Sequence, residues 1–254
     1  MGRFDDRVAV ITGAGSGIGR AAAQRFCREG GRVALVGRSP VKLDRVAAEF
    51  GAEQALVLPG AHEDAAHAAH VAEQTVGRWG RIDVLFNNGG TFDPASMADT
   101  TDAAWAATLA ANLTGPFVMS RAVLAPMRAA GRGVVIHTAS TLGLKPIAGA
   151  AAYSVAKAGL IMLGKAMALE EAAHGIRVLT VCPGVVDTPI HRQRPGIVDD
   201  DAQRAFLAAI APVHPLGRVG APDDVASLML HLASDESSWM TGSVVTVDGG
   251  IVLA

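Results

Sequence analysis

The sequence is poor in several residue types that would indicate particular classes of protein. Among its 254 residues there are two cysteines, Cys27 and Cys182, and one tyrosine, Tyr153, and aromatic residues make up only 4%. The cysteines lie far apart and no CxxC pair occurs, so neither a disulfide framework nor a zinc knuckle is indicated. A soluble protein of a reducing compartment fits this pattern, and we expect a cytoplasmic location.

Strong charge and long apolar runs are also missing. Charged residues make up 18% of the chain and the formal net charge is −2, with acids and bases spread along the sequence. This excludes the basic footprint of a nucleic-acid-binding protein. No apolar run reaches the ~18 residues of a membrane span, and the charged N-terminal stretch MGRFDDRVAVITG is unlike a signal peptide. We therefore predict neither a membrane nor a nucleic-acid partner.

Short β-rich runs alternate with longer, alanine-rich segments of helical pattern. Several runs are continuously apolar, as expected for parallel strands covered on both faces. The alternation predicts an α/β fold, a doubly wound, seven-stranded parallel sheet with helices on both faces (Rossmann-type). No proline- or glycine-rich linker divides the chain, so we predict a single domain over residues 1–254. The predicted strands are residues 7–12, 32–37, 55–58, 83–87, 133–138, 177–182 and 243–247.

One segment interrupts this alternation. Residues 187–220 hold four prolines and one modest predicted helix, about residues 200–209. The segment follows the carboxyl end of a predicted strand, where open α/β sheets bind their ligands. An insertion of this length in a compact domain indicates a substrate lid, and the alternative is an irregular surface excursion.

A glycine-rich turn, TGAGSGIG, lies between the first predicted strand and the first predicted helix. Its glycines are Gly13, Gly15, Gly17 and Gly19. Glycine allows the backbone to turn sharply and to approach a ligand closely, and the N-terminus of the following helix attracts a pyrophosphate. At this place in a βαβ unit the turn indicates a dinucleotide site, and the alternative is a tight turn that binds nothing.

The stretch AAYSVAKAG places Tyr153 four residues before Lys157. The two residues share one helix face, so they could be mere neighbours on it. The alternative is chemical, because a phenol with a pKa near ~10 becomes a usable acid or base when a cation stabilises its anion.

Taken together, the motifs resemble those of the short-chain dehydrogenases/reductases, in their single-domain branch of about 250 residues. The resemblance extends over nearly the whole chain. In chain order the matching pieces are TGAGSGIG (12–19), NNGG (87–90), Asn112 in NLTG, Ser140 in TAS, Tyr153-x-x-x-Lys157, PG (183–184) and TGSVVTVDGG (241–250).

The resemblance implies an NAD(P)-dependent oxidoreductase that transfers hydride between the cofactor and a carbonyl/secondary-alcohol pair. By resemblance Tyr153 is the general acid or base, Lys157 stabilises its phenolate and holds the nicotinamide ribose, and Ser140 binds the substrate oxygen. Asn112 anchors a water that joins Lys157 to solvent. A remote alternative is a non-catalytic NAD(P)-binding regulator.

Cofactor preference depends on the end of the second predicted strand. An acidic residue there favours NAD, whereas this chain has Arg38, whose guanidinium can bind a 2′-phosphate. The sequence thus favours NADP(H), with NAD(H) in an alcohol dehydrogenase as the alternative. Ser16 counts slightly against NADP(H), because many NADP-preferring relatives carry a basic residue there. The predicted cofactor-binding residues are Gly13, Gly15, Ser16, Gly17, Ile18, Gly19, Arg38, Ala61, His62, Asn88, Gly90, Tyr153, Lys157, Pro183, Gly184, Val186 and Thr188.

Two positions depart from the family's pattern. Ala61-His62 stands where relatives usually have Asp followed by an apolar residue, and that Asp touches the adenine. NNGG replaces the commoner NNAG, a change of one methyl that we expect to matter little. His67 and His70, with His62 nearby, fit a solvated helix face better than a metal site, so we predict no metal.

The resemblance also implies an oligomer. The two long predicted helices, about residues 112–130 and 151–174, and the C-terminal segment would form the interfaces of a homotetramer or homodimer.

Lys145, His191 and Arg192 are candidate polar contacts for the substrate in an otherwise apolar pocket.

Overall fold

The described part of the chain forms seven strands, which belong to one parallel sheet. The computed structural model describes residues 2–194 and 196–254. The strands are β1 Val8–Thr12, β2 Arg32–Gly37, β3 Ala55–Pro59, β4 Val84–Asn87, β5 Gly133–Thr138, β6 Ile176–Pro183 and β7 Val244–Val247. Their order across the sheet is β3-β2-β1-β4-β5-β6-β7, and every neighbouring pair is parallel. This confirms the predicted fold class.

The helices connect the strands. Asp64 caps α3, since its Oδ1 accepts hydrogen bonds from the backbone N–H groups of Ala66 at 2.8 Å and His67 at 3.3 Å. The helix predicted after Asn112 is preceded by a further helix that the sequence analysis missed, α4, and by a π-helical turn. The helices are α1 Gly17–Arg28, α2 Pro40–Ala47, α3 Ala65–Trp79, α4 Asp102–Leu109, α5 Gly115–Ala129, α6 Ala151–Glu171, α7 Asp200–Ile210 and α8 Pro222–Ala233.

The core consists of two apolar layers, one on each face of the sheet. Helices α1 and α8 pack on one face, where the ring of Phe26 stacks on Phe4 at 4.4 Å and meets Phe86 edge-on at 6.2 Å. Helices α3, α5 and α6 cover the other face with residues such as Val71 and Met119. With apolar side chains buried on both faces, the strands read as continuously apolar runs, as the sequence showed.

Helix α6 is long and apolar enough to span a membrane by length and composition alone, with a mean hydropathy of 1.2 over its most apolar stretch. Half of that stretch is buried inside the fold, and the helix packs against β6. It is therefore a core helix.

The strand order creates a crevice at the carboxyl ends of β1 and β4. From β1 the chain continues outward through β2 and β3, and it then returns to β4 on the other side of β1. Because the connections on the two sides run in opposite directions, a gap opens between them, and open α/β sheets bind ligands in this gap.

Candidate active site

Two cavities lie along this crevice. The larger has a volume of about 380 Å³, and its lining includes Asn112, Ser140, Tyr153 and Lys157. The smaller has a volume of about 190 Å³ and lies between the glycine turn and the ends of β2 and β3. Gly90 lines both. The four side chains predicted to be catalytic therefore meet in one place, although 45 positions of sequence separate the first from the last.

Lys157 is buried behind the phenol. Its Nζ donates a hydrogen bond to the backbone carbonyl of Thr138 at 2.8 Å and lies 5.5 Å from the centre of the Tyr153 ring. Burial lowers the pKa of Lys157 to about 8, because a charged amine loses its hydration in the interior. The side chain is thus still mostly cationic at pH 7.

Tyr153 faces the larger cavity, and its ring lies nearly perpendicular to that of Phe92, at a centroid distance of 4.9 Å. Burial raises the pKa of Tyr153 to about 12, while the Ser140 side chain and the charge of Arg194 act in the opposite direction. The spacing of Tyr153 and Lys157 in the sequence predicts that the lysine brings this pKa nearer to neutral. In the structure burial outweighs the favourable contacts, and the phenol is protonated at neutral pH, as a proton donor must be.

Ser140 stands at the carboxyl end of β5 and caps a short 3₁₀ turn. Its Oγ accepts a hydrogen bond from the backbone N–H of Leu142 at 3.1 Å. Since that hydrogen bond occupies a lone pair, the hydroxyl hydrogen is free to point into the cavity.

Asn112 is fully buried in the π-helical turn Ala110–Thr114 that joins α4 to α5. Its Nδ2 donates to the backbone carbonyls of Thr91 at 2.9 Å and Thr108 at 3.0 Å. A π turn widens a helix locally and is common at functional sites. A Cβ at Gly90 would lie 2.5 Å from Asn112 Oδ1, so this position has no room for a side chain.

The glycine turn is shaped by close backbone contacts. Gly13 has a φ of +66°, and a Cβ there would lie 2.9 Å from the Cα of Gly89. A Cβ at Gly19 would lie 2.4 Å from the carbonyl oxygen of Gly13. These glycines are therefore required by the fold of the turn itself. Helix α1 begins at Gly17, between Ser16, which lines the smaller cavity, and Ile18, which lines the larger one.

The smaller cavity brings together two cations and one acid. Arg38 and Lys42 line it beside Ser39, and Glu63 lines it as well. The carboxylate of Glu63 lies 3.4 Å from Nδ1 of His62. Lys42 was missed in the sequence analysis, although its place in the first turn of α2, four residues after Arg38, was a usable signal.

His62 occupies the region between this cavity and the helix that carries Asn112. Its Nε2 donates to the backbone carbonyl of Ala111 at 2.8 Å. Burial lowers the pKa of His62, and this effect exceeds the opposing contributions of the Ala111 carbonyl and Glu63. The ring is therefore neutral at pH 7, with its hydrogen on Nε2.

The two departures from the family's pattern are in contact with each other. A Cβ at Gly89 would lie 3.0 Å from Cε1 of His62, and one at Gly115 would lie 2.3 Å from its Cδ2. The alanine that relatives carry at the position of Gly89 would press on this ring. The missing methyl in NNGG therefore makes room for His62, a consequence that the sequence analysis did not foresee.

The structure brings most of the predicted cofactor-binding residues to one of the two cavities. The larger is lined by Ile18, Asn88, Gly90, Tyr153, Lys157, Pro183, Gly184, Val186 and Thr188. The smaller is lined by Gly13, Gly15, Ser16, Arg38, His62 and Gly90. Gly17, Gly19 and Ala61 line neither. A Cβ at Gly17 would lie 2.9 Å from Cγ2 of Thr188, and a Cβ at Gly19 would meet Gly13.

Segment 187–220 covers one side of the larger cavity. Gln193 Oε1 accepts a hydrogen bond from the backbone N–H of Phe92 at 2.8 Å, which ties the segment to the loop after β4. His191 is buried and its Nε2 donates to the carbonyl of Val186 at 2.8 Å. Pro195 lies outside the described residues.

The polar residues of this segment differ from the sequence expectation. Arg192 lies outside the cavity, where its side chain pairs with Asp200 on α7. Arg194, which the sequence analysis did not single out, lines the cavity together with Lys145 and His191. Only the tertiary structure separates two arginines that stand two residues apart.

Metal-binding side chains are not clustered in the part of the chain that the structure describes, where no group of three or more His, Cys, Asp or Glu could hold an ion. His67 and His70 lie 6.4 Å apart, between ring centres. Burial raises the pKa of both cysteine thiols, that of Cys27 to about 12 and that of Cys182 to about 11, so both are protonated.

The fold and the site define a doubly wound α/β protein with a tyrosine in front of a buried lysine at the switch point of its sheet. Comparison with known proteins agrees. Residues 13–252 match the family model described as enoyl-(acyl carrier protein) reductase. The chain is 36% identical to a 3-oxoacyl-[acyl-carrier-protein] reductase of Thermotoga maritima, over 99% of this chain and 100% of that one.

Two further relatives act on small alcohols or ketones by name. A meso-2,3-butanediol dehydrogenase of Serratia marcescens is 36% identical over 98% of this chain and 95% of its own length. The crystal structure of a levodione reductase superimposes with a TM-score of 0.91 at 33% identity, over 99% of both chains. The chain belongs to the short-chain dehydrogenase/reductase family, whose members are oxidoreductases of alcohols and carbonyl compounds.

Proposed function

We propose that the protein interconverts a ketone and a secondary alcohol with NADP(H). The observation that carries the proposal is the meeting of Ser140, Tyr153 and Lys157 in one cavity, with the phenol held protonated by burial and a cation behind it. A bound nicotinamide supplies or accepts the hydride.

The protein's side chains transfer the proton and stabilise the charges that develop during the reaction. Tyr153 donates its proton to the oxygen that becomes the alcohol, and in the reverse direction its phenolate accepts the proton. The Ser140 hydroxyl donates a hydrogen bond to the same oxygen and stabilises its developing charge. Lys157 stabilises the phenolate that Tyr153 leaves behind. Asn112 would hold a water that connects Lys157 to solvent, a role taken from the family resemblance.

The smaller cavity fits the adenosine end of NADP(H). Arg38 and Lys42 provide two cations for a 2′-phosphate, and the glycine turn offers backbone N–H groups at the start of α1 to the pyrophosphate. Glu63 in the same cavity opposes an added phosphate, and this observation favours the second candidate, the same chemistry with NAD(H). The two cations outnumber the one acid, so NADP(H) remains our proposal.

We further propose that segment 187–220 is a substrate lid on a single-domain enzyme of the cytoplasm. The lid proposal is supported by its contacts with the cavity, in particular those of Gln193 and His191.

A homo-oligomer is proposed from the outer surface of α6. Val155, Met162 and Leu169 stand seven residues apart and are exposed, Leu169 by 85%. Seven residues are about two helical turns, so the three side chains form one apolar stripe. Exposed apolar stripes mark interaction surfaces, and the family resemblance supplies the occupant, a second copy of this chain. Light scattering should give a dimer or tetramer for the wild type and a smaller species for Met162→Glu.

The proposed function is tested by titrating the purified protein with NADPH and, separately, with NADH, following nicotinamide fluorescence, and by assaying a panel of ketones with each. We expect NADPH to bind at least tenfold more tightly, a difference of about 1.4 kcal/mol, and to support turnover. Equal or tighter binding of NADH would select the second candidate. Binding of neither would contradict both.

A further inference from the structure

Arg194 is a cation that lines the larger cavity beside two aromatic rings. Its guanidinium carbon lies 4.6 Å from the ring centre of Phe92 and 4.8 Å from that of Phe206, so the group sits against two aromatic rings. Its Nε is buried and has no hydrogen-bond partner among the described residues. The other arginines of this segment differ, because Arg192 pairs with Asp200, Arg204 with Asp201 and Arg218 with Asp224.

Placing a guanidinium partly out of water is energetically unfavourable unless other contacts replace its lost hydration. Burial lowers the pKa of Arg194, which shows that desolvation opposes its charge. Contacts with the two ring faces compensate in part, because a guanidinium is attracted to the face of an aromatic ring. They do not satisfy the N–H donors, which lie in the plane of the guanidinium. A planar anion in the cavity would satisfy these donors and the charge together.

The distance between Arg194 and Tyr153 sets the length that such a ligand must span. Phe92 contacts both, through its face to Arg194 at 4.6 Å and edge-on to the Tyr153 ring at 4.9 Å. The distance from the guanidinium carbon to the tyrosine ring centre is therefore no greater than the sum of these two. A small molecule can span this gap with its carbonyl at Tyr153 and a second group at Arg194.

We propose that Arg194 is a specificity residue that binds a carboxylate carried by the substrate, so that the enzyme acts on keto acids or the matching hydroxy acids. The proposal rests on the proposed function, because it assigns the substrate class of the same site. Arg194 acts by orienting the substrate, and Tyr153 and Ser140 carry out the proton transfer.

The experiment uses two pairs of ketones that differ only in charge, 4-oxopentanoate and 4-acetylbenzoate, each with its methyl ester. We measure kcat/KM with NADPH and NADH, and calorimetric binding of each compound to the protein saturated with NADP⁺ or NAD⁺, for the wild type and for Arg194→Gln, Arg194→Lys and Arg204→Gln. The last removes a guanidinium on α7 that is exposed and lies outside the cavity.

For at least one pair we expect the wild type to prefer the carboxylate by tenfold or more, and Arg194→Gln to abolish this preference while turnover of the ester stays within about threefold. Arg194→Lys should keep part of the preference, because a point charge lacks the bidentate geometry, and Arg204→Gln should keep all of it. If Arg194→Gln does not fold, the proposal is still tested by the preference of the wild type for the carboxylate and by the reduction of that preference in Arg194→Lys.

Two results would overturn the proposal. One is a wild type without preference in either pair. The other is an equal loss for acid and ester in Arg194→Gln, which would show that the guanidinium only holds the lid in place against Phe92 and Phe206. If the wild type reduces none of these ketones, the proposed function fails for them, and calorimetry still decides the role of Arg194. Carboxylate binding that is lost in Arg194→Gln supports that role, and no carboxylate binding contradicts it.

Discussion

The two cavities of the crevice differ in the physical features that shape their chemistry, although Gly90 lines both. In the larger cavity side chains are buried, and their desolvation sets the chemistry, with the pKa of Tyr153 raised to about 12 and that of Lys157 lowered to about 8. In the smaller cavity backbone glycines give the shape, and exposed cations such as Lys42 line it together with the acid Glu63. Substitutions should therefore change the rate in the first cavity and the affinity in the second.

The largest effect is expected from removing the phenol of Tyr153. Tyr153→Phe keeps the ring and its contact with Phe92 but has no proton to donate, so kcat should fall by ~10²–10⁴-fold. NADPH affinity, measured by nicotinamide fluorescence, should stay within about threefold. Unchanged turnover would rule out this mechanism and revive the view of the protein as a cofactor-binding regulator.

The next largest effect is expected from removing a cation of the smaller cavity. Arg38→Gln should weaken NADPH binding by roughly 10–100-fold, since hydrogen bonds between charged groups are worth about 1.5–3 kcal/mol, and should leave NADH binding and the kcat at saturation nearly unchanged. Lys42→Gln should have a smaller effect of the same kind.

Arg45→Gln is the matched control, because Arg45 lies on α2 with Lys42 but is exposed and does not line the smaller cavity. A loss of NADH affinity equal to that of NADPH in Arg38→Gln would show that the guanidinium does not bind a 2′-phosphate.

The pH dependence of ketone reduction tests the electrostatics of the larger cavity. The reaction needs Tyr153 protonated and Lys157 cationic. Burial lowers the pKa of Lys157 to about 8, so kcat/KM should be level at lower pH and fall above pH 8 as the lysine loses its proton. The fall should approach ~tenfold per pH unit, because a single group titrates.

Lys157→Arg keeps a cation that stays protonated well above pH 8, so any activity it retains should decline only at higher pH. The same decline in both proteins would assign it to another group.

The smallest effect concerns the contact between Gly89 and His62. Gly89→Ala places a Cβ 3.0 Å from the imidazole, and such overpacking costs about 1–3 kcal/mol in the free energy of unfolding. His62→Val in the same chain removes the ring and should restore most of this loss. Urea unfolding of the two single variants and the double variant measures the coupling. Additive effects would show that the two departures from the family pattern are independent.

The sequence by itself determined the fold class and singled out the candidate catalytic residues. Apolar runs alternating with helical segments predicted the parallel sheet, since burial on both faces of a strand leaves a continuous pattern in the chain. The glycine turn and the spacing of Tyr153 and Lys157 are local features within one or two helical turns. They could be identified without knowing which other segments lie nearby.

Only the tertiary structure decided the features that depend on contacts between distant segments. The raised pKa of Tyr153 reflects burial by several elements, and the fit of Gly89 to His62 joins residues 27 positions apart. Arg192 and Arg194 have the same side chain and lie two residues apart, yet one pairs with Asp200 outside and the other lies against Phe92 in the cavity. Desolvation and side-chain direction are properties of the packed molecule, and the sequence pattern records neither.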